Sequence, residues 1–72
     1  MLYEDFKKEI EQVIKNRPCC YRKGQAVFNY IDEKYGVART VQFYYNIDCF
    51  YKDDNIDDFI ECSWKLINDL DI

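Results

Sequence analysis

Four polar residues of this chain have the types and spacing to do chemistry. Arg22 stands two places before Gly24, Gln25 and Asn29 follow at i and i+4, and Asp48 lies farther on inside the run IDCFY. Amides four residues apart on a helix share a face, one turn apart. That face is displaced from the apolar Val27–Ile31 stripe. Arginine brings five donors, and a carboxylate held between Ile47 and Cys49, flanked by aromatics, needs a partner. Arg22 is the expected partner, with Arg39 the alternative. Such a group can lock a helix entrance to the segment before the last helix. It can also line a shallow pocket for a ligand or peptide. The locking corner is the leading expectation.

Tyrosine makes a second candidate. Seven Tyr, five Phe and one Trp make up 18% of the 72 residues, too many for a chain this short to bury. Tyr21, Tyr44, Tyr45 and Tyr51 cluster around the connecting segments. Tyrosine is enriched at protein interfaces, and large exposed apolar patches mark contacts. A third candidate is the acidic edge of the last helix, Asp57, Asp58 and Glu61.

Other chemistry is missing. The chain has no His, no Ser–His or Cys–His pairing, no glycine-rich phosphate loop and no paired metal-ligand motif. Its carboxylates fall on solvated faces or caps. Neither an enzyme, a cofactor nor a metal site is expected. The thiols Cys19, Cys20, Cys49 and Cys62 lack the spacing of a zinc knuckle. They read as reduced, small buried groups, with a disulfide or metal as the alternative.

The elements that position these residues come from periodicity. Residues 2–16 form a helix with Leu2, Phe6, Ile10, Val13 and Ile14 on one stripe. Glu4 and Asp5 in its first turn and Lys15 in its last suit the helix dipole. Glu4–Lys8 and Glu11–Lys15 are favourable i,i+4 pairs, and Pro18 ends the helix at Arg17. A second helix runs from about Gly24 to Tyr35, apolar over a wide arc and therefore central; Gly36 is its left-handed stop. Residues 37–45 suit a short helix. A hairpin of residues 41–51 turning at Asn46 is the alternative. KDDN, residues 52–55, is a turn in which Asp54 or Asn55 caps the last helix. That helix uses Ile56, Phe59, Ile60, Ser63, Trp64 and Ile67.

The expected fold is all-α: residues 1–72 as a single domain, a bundle of three to four short helices around an aromatic-rich core. The runner-up is α+β with the short hairpin. The predicted core is Phe6, Ile10, Val13, Val27, Phe28, Ile31, Val41, Phe50, Phe59, Ile60, Trp64 and Ile67.

The net charge is −4, unevenly spread. Residues 1–24 carry six basic and four acidic groups, net +2; residues 25–51 carry two and three, net −1; residues 52–72 carry two and seven, net −5. No basic field is extended enough for a phosphate backbone, so direct nucleic-acid binding is not expected. No run approaches the roughly 18 apolar residues of a membrane helix, and no basic n-region with an apolar h-region opens the chain. A cytoplasmic protein without a membrane role is expected.

The string RKGQAVFNYIDEKYG, followed by DCFY and an acidic turn, resembles a group of small, mostly uncharacterised proteins of bacteriophages, prophages and bacteria. Their pattern is Arg-x-Gly-Gln-x-x-Phe-Asn, then Asp-x-Phe-Tyr, then a short final helix. Arg22, Gly24, Gln25, Phe28 and Asn29 match the first part, and Asp48, Phe50 and Tyr51 the second. The resemblance covers about residues 17–67. Such proteins often carry proline where this chain has Cys49, which argues against a special role for that cysteine. The resemblance brings no activity. It implies a mobile-element accessory protein acting on a host protein, in a class that includes inhibitors of bacterial defence systems.

The functional expectation is a non-enzymatic interaction module with a protein partner. One mechanism is that its acidic last helix competes with nucleic acid for a basic channel. The alternatives are a homodimer or larger self-assembly buried across the aromatic patch, and a small-ligand binder at Arg22, Gln25, Asn29 and Asp48.

Overall fold

A computed structural model describes residues 2–50 and 53–70. The chain is all-helical, with helix α1 at Tyr3–Lys15, α2 at Lys23–Tyr35, α3 at Ala38–Phe43, a 3-10 turn at Asp53–Asn55 and α4 at Ile56–Leu70. Among the described residues there is no strand, so the hairpin alternative is set aside. Its expected turn at Asn46 exists, with a left-handed φ of 63°. Asparagine is one of the few side chains that tolerate this conformation. The turn ends a helix instead of joining strands: Tyr44 donates its N–H to the Thr40 carbonyl and Ile47 donates to Val41.

Each helix forms for a local reason and then buries one stripe. α1 carries Glu4 and Asp5 in its first turn and Lys15 in its last, complementing its dipole. Phe6 and Ile10 are fully buried. The Arg17 guanidinium closes its C-terminus by donating to the Ile14 carbonyl at 2.6 Å and to the Tyr21 carbonyl at 3.1 Å. Free carbonyls at a helix end need such donors. α2 stops at Gly36, whose φ is 72° and whose N–H donates to the Ile31 and Asp32 carbonyls. This is the left-handed cap for which glycine is suited.

α2 is central, as its wide apolar arc requires. It packs against α1, α3, α4 and the 3-10 turn. The core comprises Phe6, Ile10, Val27, Ile31, Val37, Ala38, Val41, Cys49, Phe59, Ile60 and Ile67. Val13, Phe28, Phe50 and Trp64, expected inside, are half-buried. Phe28, Phe50 and Trp64 form an aromatic margin. Phe28 meets Phe50 edge-on at 5.5 Å and tilts against Phe59 at 5.7 Å, and Trp64 meets Tyr3 at 5.3 Å. Rings of this size seal a small core while keeping one edge in water. Small residues complete the interior: Ala26, Ala38 and Cys49 let segments approach closely.

The cysteines divide. Cys49 is buried and Cys62 half-buried, whereas Cys19 and Cys20 are exposed and all four are free thiols. The expectation of buried groups therefore fails for the adjacent pair. They occupy a turn after Pro18, closed by the Tyr21 N–H donating to the Pro18 carbonyl at 3.0 Å, so both side chains face water.

Ser63 sits fully buried on α4 with no hydrogen-bond partner for its hydroxyl. An unpaired buried hydroxyl costs about 1–3 kcal/mol. Ser63→Ala is expected to unfold at or above the wild-type temperature, by up to roughly 4–8 °C for each kcal/mol recovered. Thermal melts followed by circular dichroism check this, and a clearly lower midpoint would show that the hydroxyl is satisfied.

Candidate functional site

The four polar residues singled out from the sequence do not converge. Arg22 is exposed at the start of α2, in extended conformation, and makes no ion pair among the described residues. Asp48 pairs with neither Arg22 nor Arg39. Its Oδ1 accepts the Phe50 backbone N–H at 2.9 Å and the Gln42 side-chain amide at 3.1 Å. Neutral donors six and two residues away are enough to satisfy a half-buried carboxylate. Arg39 instead lies 3.8 Å from Asp32, an exposed and weak pairing. Asn55, expected to cap α4 through its oxygen, uses its amide to donate to the Asp48 carbonyl at 2.9 Å. Asp48 thus ties α3, the segment after it and the 3-10 turn together.

Gln25 and Asn29 are half-buried on α2. Asn29 lines a groove of about 300 Å³ between α1 and α2, beside Val13, Asn16, Tyr21 and Tyr30. Asp48 is not part of that groove. The two halves of the motif nevertheless meet, through other atoms. The Cys49 thiol donates to the Gly24 carbonyl at 3.4 Å, and Phe28 packs on Phe50. The motif residues therefore form a packing seam between the start of α2 and the segment crossing it.

No family model matches this chain, and neither does any curated protein or solved structure. The site is read from its geometry.

The most exposed apolar surface follows α3. Phe43 is 76% exposed, Tyr44 80% and Tyr45 45%. The Tyr44 and Tyr45 rings meet edge-on at 5.0 Å and cover mainly one another. Two grooves flank this run. One, of about 340 Å³, is lined by Phe28, Arg39, Gln42, Phe43 and Phe50. The other, of about 330 Å³, is lined by Tyr45, Ile47, Asp58, Glu61, Cys62 and Lys65. Phe43 walls the first and Tyr45 the second, two positions apart along the chain. Asp57, Asp58 and Glu61 are all exposed on α4, with Asp57 and Asp58 in its first turn. Tyr21 is exposed in the α1–α2 connection and lines the groove of Asn29 rather than either of these two, and Tyr51 lies outside the described residues. Phe43, absent from the sequence candidates, belongs to this surface; it was hidden because VQFYY reads equally as buried strand or helix.

A second cluster also escaped the sequence reading. One oxygen of Glu9, Oε2, accepts the Tyr30 hydroxyl at 2.6 Å, the Tyr35 hydroxyl at 2.8 Å and the Lys34 ammonium at 3.0 Å. The Lys34 Nζ also donates to the Tyr30 hydroxyl at 3.1 Å and lies 5.5 and 5.3 Å from the Tyr30 and Tyr35 ring centres, a cation–π arrangement. Burial works to raise the Glu9 carboxyl, but the three hydrogen bonds outweigh it and hold it below its ordinary 4.5. Hydrogen bonds to Tyr30 and Glu9 push the Lys34 ammonium well above the usual lysine range. Burial, then the bond to Glu9, raises both tyrosines. Near neutral pH every group keeps its resting charge and none is poised to exchange a proton. The cluster is a clasp between α1 and α2. Only Tyr30–Lys34 at i,i+4 hinted at it in sequence.

Two predictions follow from this geometry. Asp48→Ala removes two hydrogen bonds and is expected to cost about 1–3 kcal/mol, whereas Arg22→Ala stays within about 0.5 kcal/mol of wild type; urea unfolding of both compares them, and equal losses would restore the Arg22–Asp48 pairing. Glu9→Gln is expected to lower the melting temperature most between about pH 4.5 and 10. Glu9 is held below 4.5, so its contribution is complete above that value and fades as pH falls through the folded value. Lys34 and the tyrosines are raised above 10.5 and 10.0, so theirs is complete below pH 10.0 and fades as pH rises through their folded values. Melts of both proteins should differ throughout that range and converge only below it, as pH falls through the folded Glu9 value.

Proposed function

We propose that this protein is a non-enzymatic interaction module that binds another protein through the Phe43–Tyr45 run and the acidic edge of α4. The observation that carries the reading is three consecutive exposed aromatics, Phe43 and Tyr44 largely in water and Tyr45 partly so, while the remainder of α3 supplies its burial through Ala38 and Val41. Aromatic anchors beside grooves are the usual centres of binding energy in protein interfaces. Arg39 and Gln42 along one side, and Asp58 and Glu61 along the other, supply a polar rim of the kind that surrounds such anchors.

Among the described residues no group of three or more Cys, Asp or Glu side chains could hold a metal, and no helix is long and apolar enough to cross a membrane. The motif resemblance adds a setting: a cytoplasmic accessory protein of a phage or other mobile element, acting on a host protein. Inhibition of a bacterial defence system is one form this would take. The small-ligand reading of Arg22, Gln25, Asn29 and Asp48 draws no support from the geometry: Asp48 accepts from Gln42 and Phe50, and Asn29 lines a groove to which Asp48 does not belong.

The test is a tagged pull-down from bacterial lysate by wild type and by a Phe43→Ala/Tyr44→Ala variant, with light scattering at two concentrations. The expected result is a stoichiometric partner held by wild type, and lost by a variant that melts like wild type. A stable dimer without a partner would replace this reading with self-assembly.

A further inference from the structure

The groove beside Tyr45 has a definite chemistry. Tyr45, Ile47 and Cys62 supply apolar wall, and Asp58, Glu61 and Lys65 the charged part. Glu61 shares Lys65 at 3.4 Å, an exposed i,i+4 pair of little strength. Asp54, Asp57 and Asp58 are exposed and, among the described residues, belong to no ion pair. This edge lies in the segment with seven acidic and two basic groups. Its volume, about 330 Å³, is at the small end for a ligand pocket and suits one or two side chains.

Helix-start carboxylates by themselves only complement a dipole. Here Asp58 and Glu61 line a depression walled by Tyr45, Ile47 and Cys62, with the exposed Tyr44 ring against Tyr45, and that combination restricts the occupant. A second copy docking this groove on itself across a two-fold axis would bring two sets of Asp58 and Glu61 together against only one Lys65 from each copy. Like charges across an interface are costly. The complementary occupant is cationic and carries an apolar anchor.

We infer that this groove takes one apolar side chain presented by a lysine- or arginine-rich segment of a partner protein. The inference rests on the interaction reading above and adds the chemistry of the partner.

Cys62 gives the groove its own reporter. It lies half-buried in the wall, and burial pushes its thiol up, with Lys65 opposing. Cys19 and Cys20 are exposed and distant in sequence, and serve as internal controls. The experiment follows iodoacetamide alkylation of each cysteine by mass spectrometry, with a synthetic amphipathic Leu/Lys helical peptide as the probe. Polylysine of equal charge and a Leu/Glu peptide of equal length are the controls. The Leu/Lys peptide is expected to slow Cys62 alkylation roughly tenfold when present at about ten times its dissociation constant, leaving Cys19 and Cys20 unchanged. Protection should vanish in Asp58→Lys/Glu61→Lys, weaken in Asp58→Asn/Glu61→Gln, and fade with added salt. Equal protection by polylysine or by the Leu/Glu peptide would overturn the inference. So would protection that grows with the protein's own concentration, because a second copy would then fill the groove. Absence of protection by the Leu/Lys peptide would also overturn it, while aromatic-dependent capture of a partner would leave the interaction reading standing.

Discussion

The fold depends on how the segment after α3 crosses the start of α2. Cys49 is fully buried there, with its thiol on the Gly24 carbonyl, and Phe50 closes over Phe28. A chain this short leaves little apolar area to spare, so its central helix must be covered on every apolar side. α1, α3 and α4 cover part of α2, and the crossing segment covers the start of the helix. Gly24 is itself buried at this crossing. Asp48 then fixes the path, accepting from Gln42 and Phe50 while its carbonyl accepts from Asn55. The direction in which α4 begins is set by this crossing.

The Glu9 clasp has a different part. Its members are partly exposed, and exposed polar contacts are worth little in water. Burial of Phe6, Ile10, Val27, Ile31, Val41 and Phe59 contributes about 1.5–3 kcal/mol for each side chain, which decides stability. The clasp decides alignment. One carboxylate oxygen receiving two hydroxyls and an ammonium can be satisfied only where α1 and α2 stand in one register, and Phe6 against Tyr35 at 5.7 Å repeats the same register in apolar form. Agreement between polar and apolar contacts is what narrows a small core to one packing.

The helices were legible because their signals are local. The α1 stripe, Pro18 as a stop, Gly36 as a left-handed cap and the acidic first turn of α4 each act within a turn or two of where they appear. The core was legible where periodicity was clean, as with Phe6, Ile10, Val27, Ile31 and Phe59. It was misjudged at Phe28, Phe50 and Trp64, where ring size suggested depth and the structure uses the rings as a margin. Cys49 is buried as the reading of the thiols expected, but neither it nor Ala38 stood in the predicted core, because the packing role of a small residue becomes clear only once the approaching segment is known. The polar partners failed for the same reason. Arg22–Asp48 was a pairing of formal charges, and Asp48 found nearer, neutral donors. Glu9 found its three donors 21 to 26 residues away, a separation that no spacing rule encodes.

The exposure of Phe43, Tyr44 and Tyr45 remains after these local explanations. α3 is anchored by Val37, Ala38 and Val41, all buried, and its end is turned by Asn46. Neither task needs an aromatic at the three positions between. Tyrosine can keep its hydroxyl in water with its ring packed, but Tyr44 leaves most of the ring in water too, and Phe43 has no hydroxyl to excuse its position. Polar residues there would satisfy the same helix end without the association hazard of an exposed apolar run. The rings are also not interchangeable parts of one patch: Phe43 walls the groove that holds Arg39, and Tyr45 walls the groove that holds Asp58 and Glu61. Opposite charge on the two sides gives this surface a direction. A cationic partner that seats its apolar side chain against Tyr45 would bring its charge onto Asp58 and Glu61 in one orientation only, which is how charge supplies register where apolar area supplies affinity.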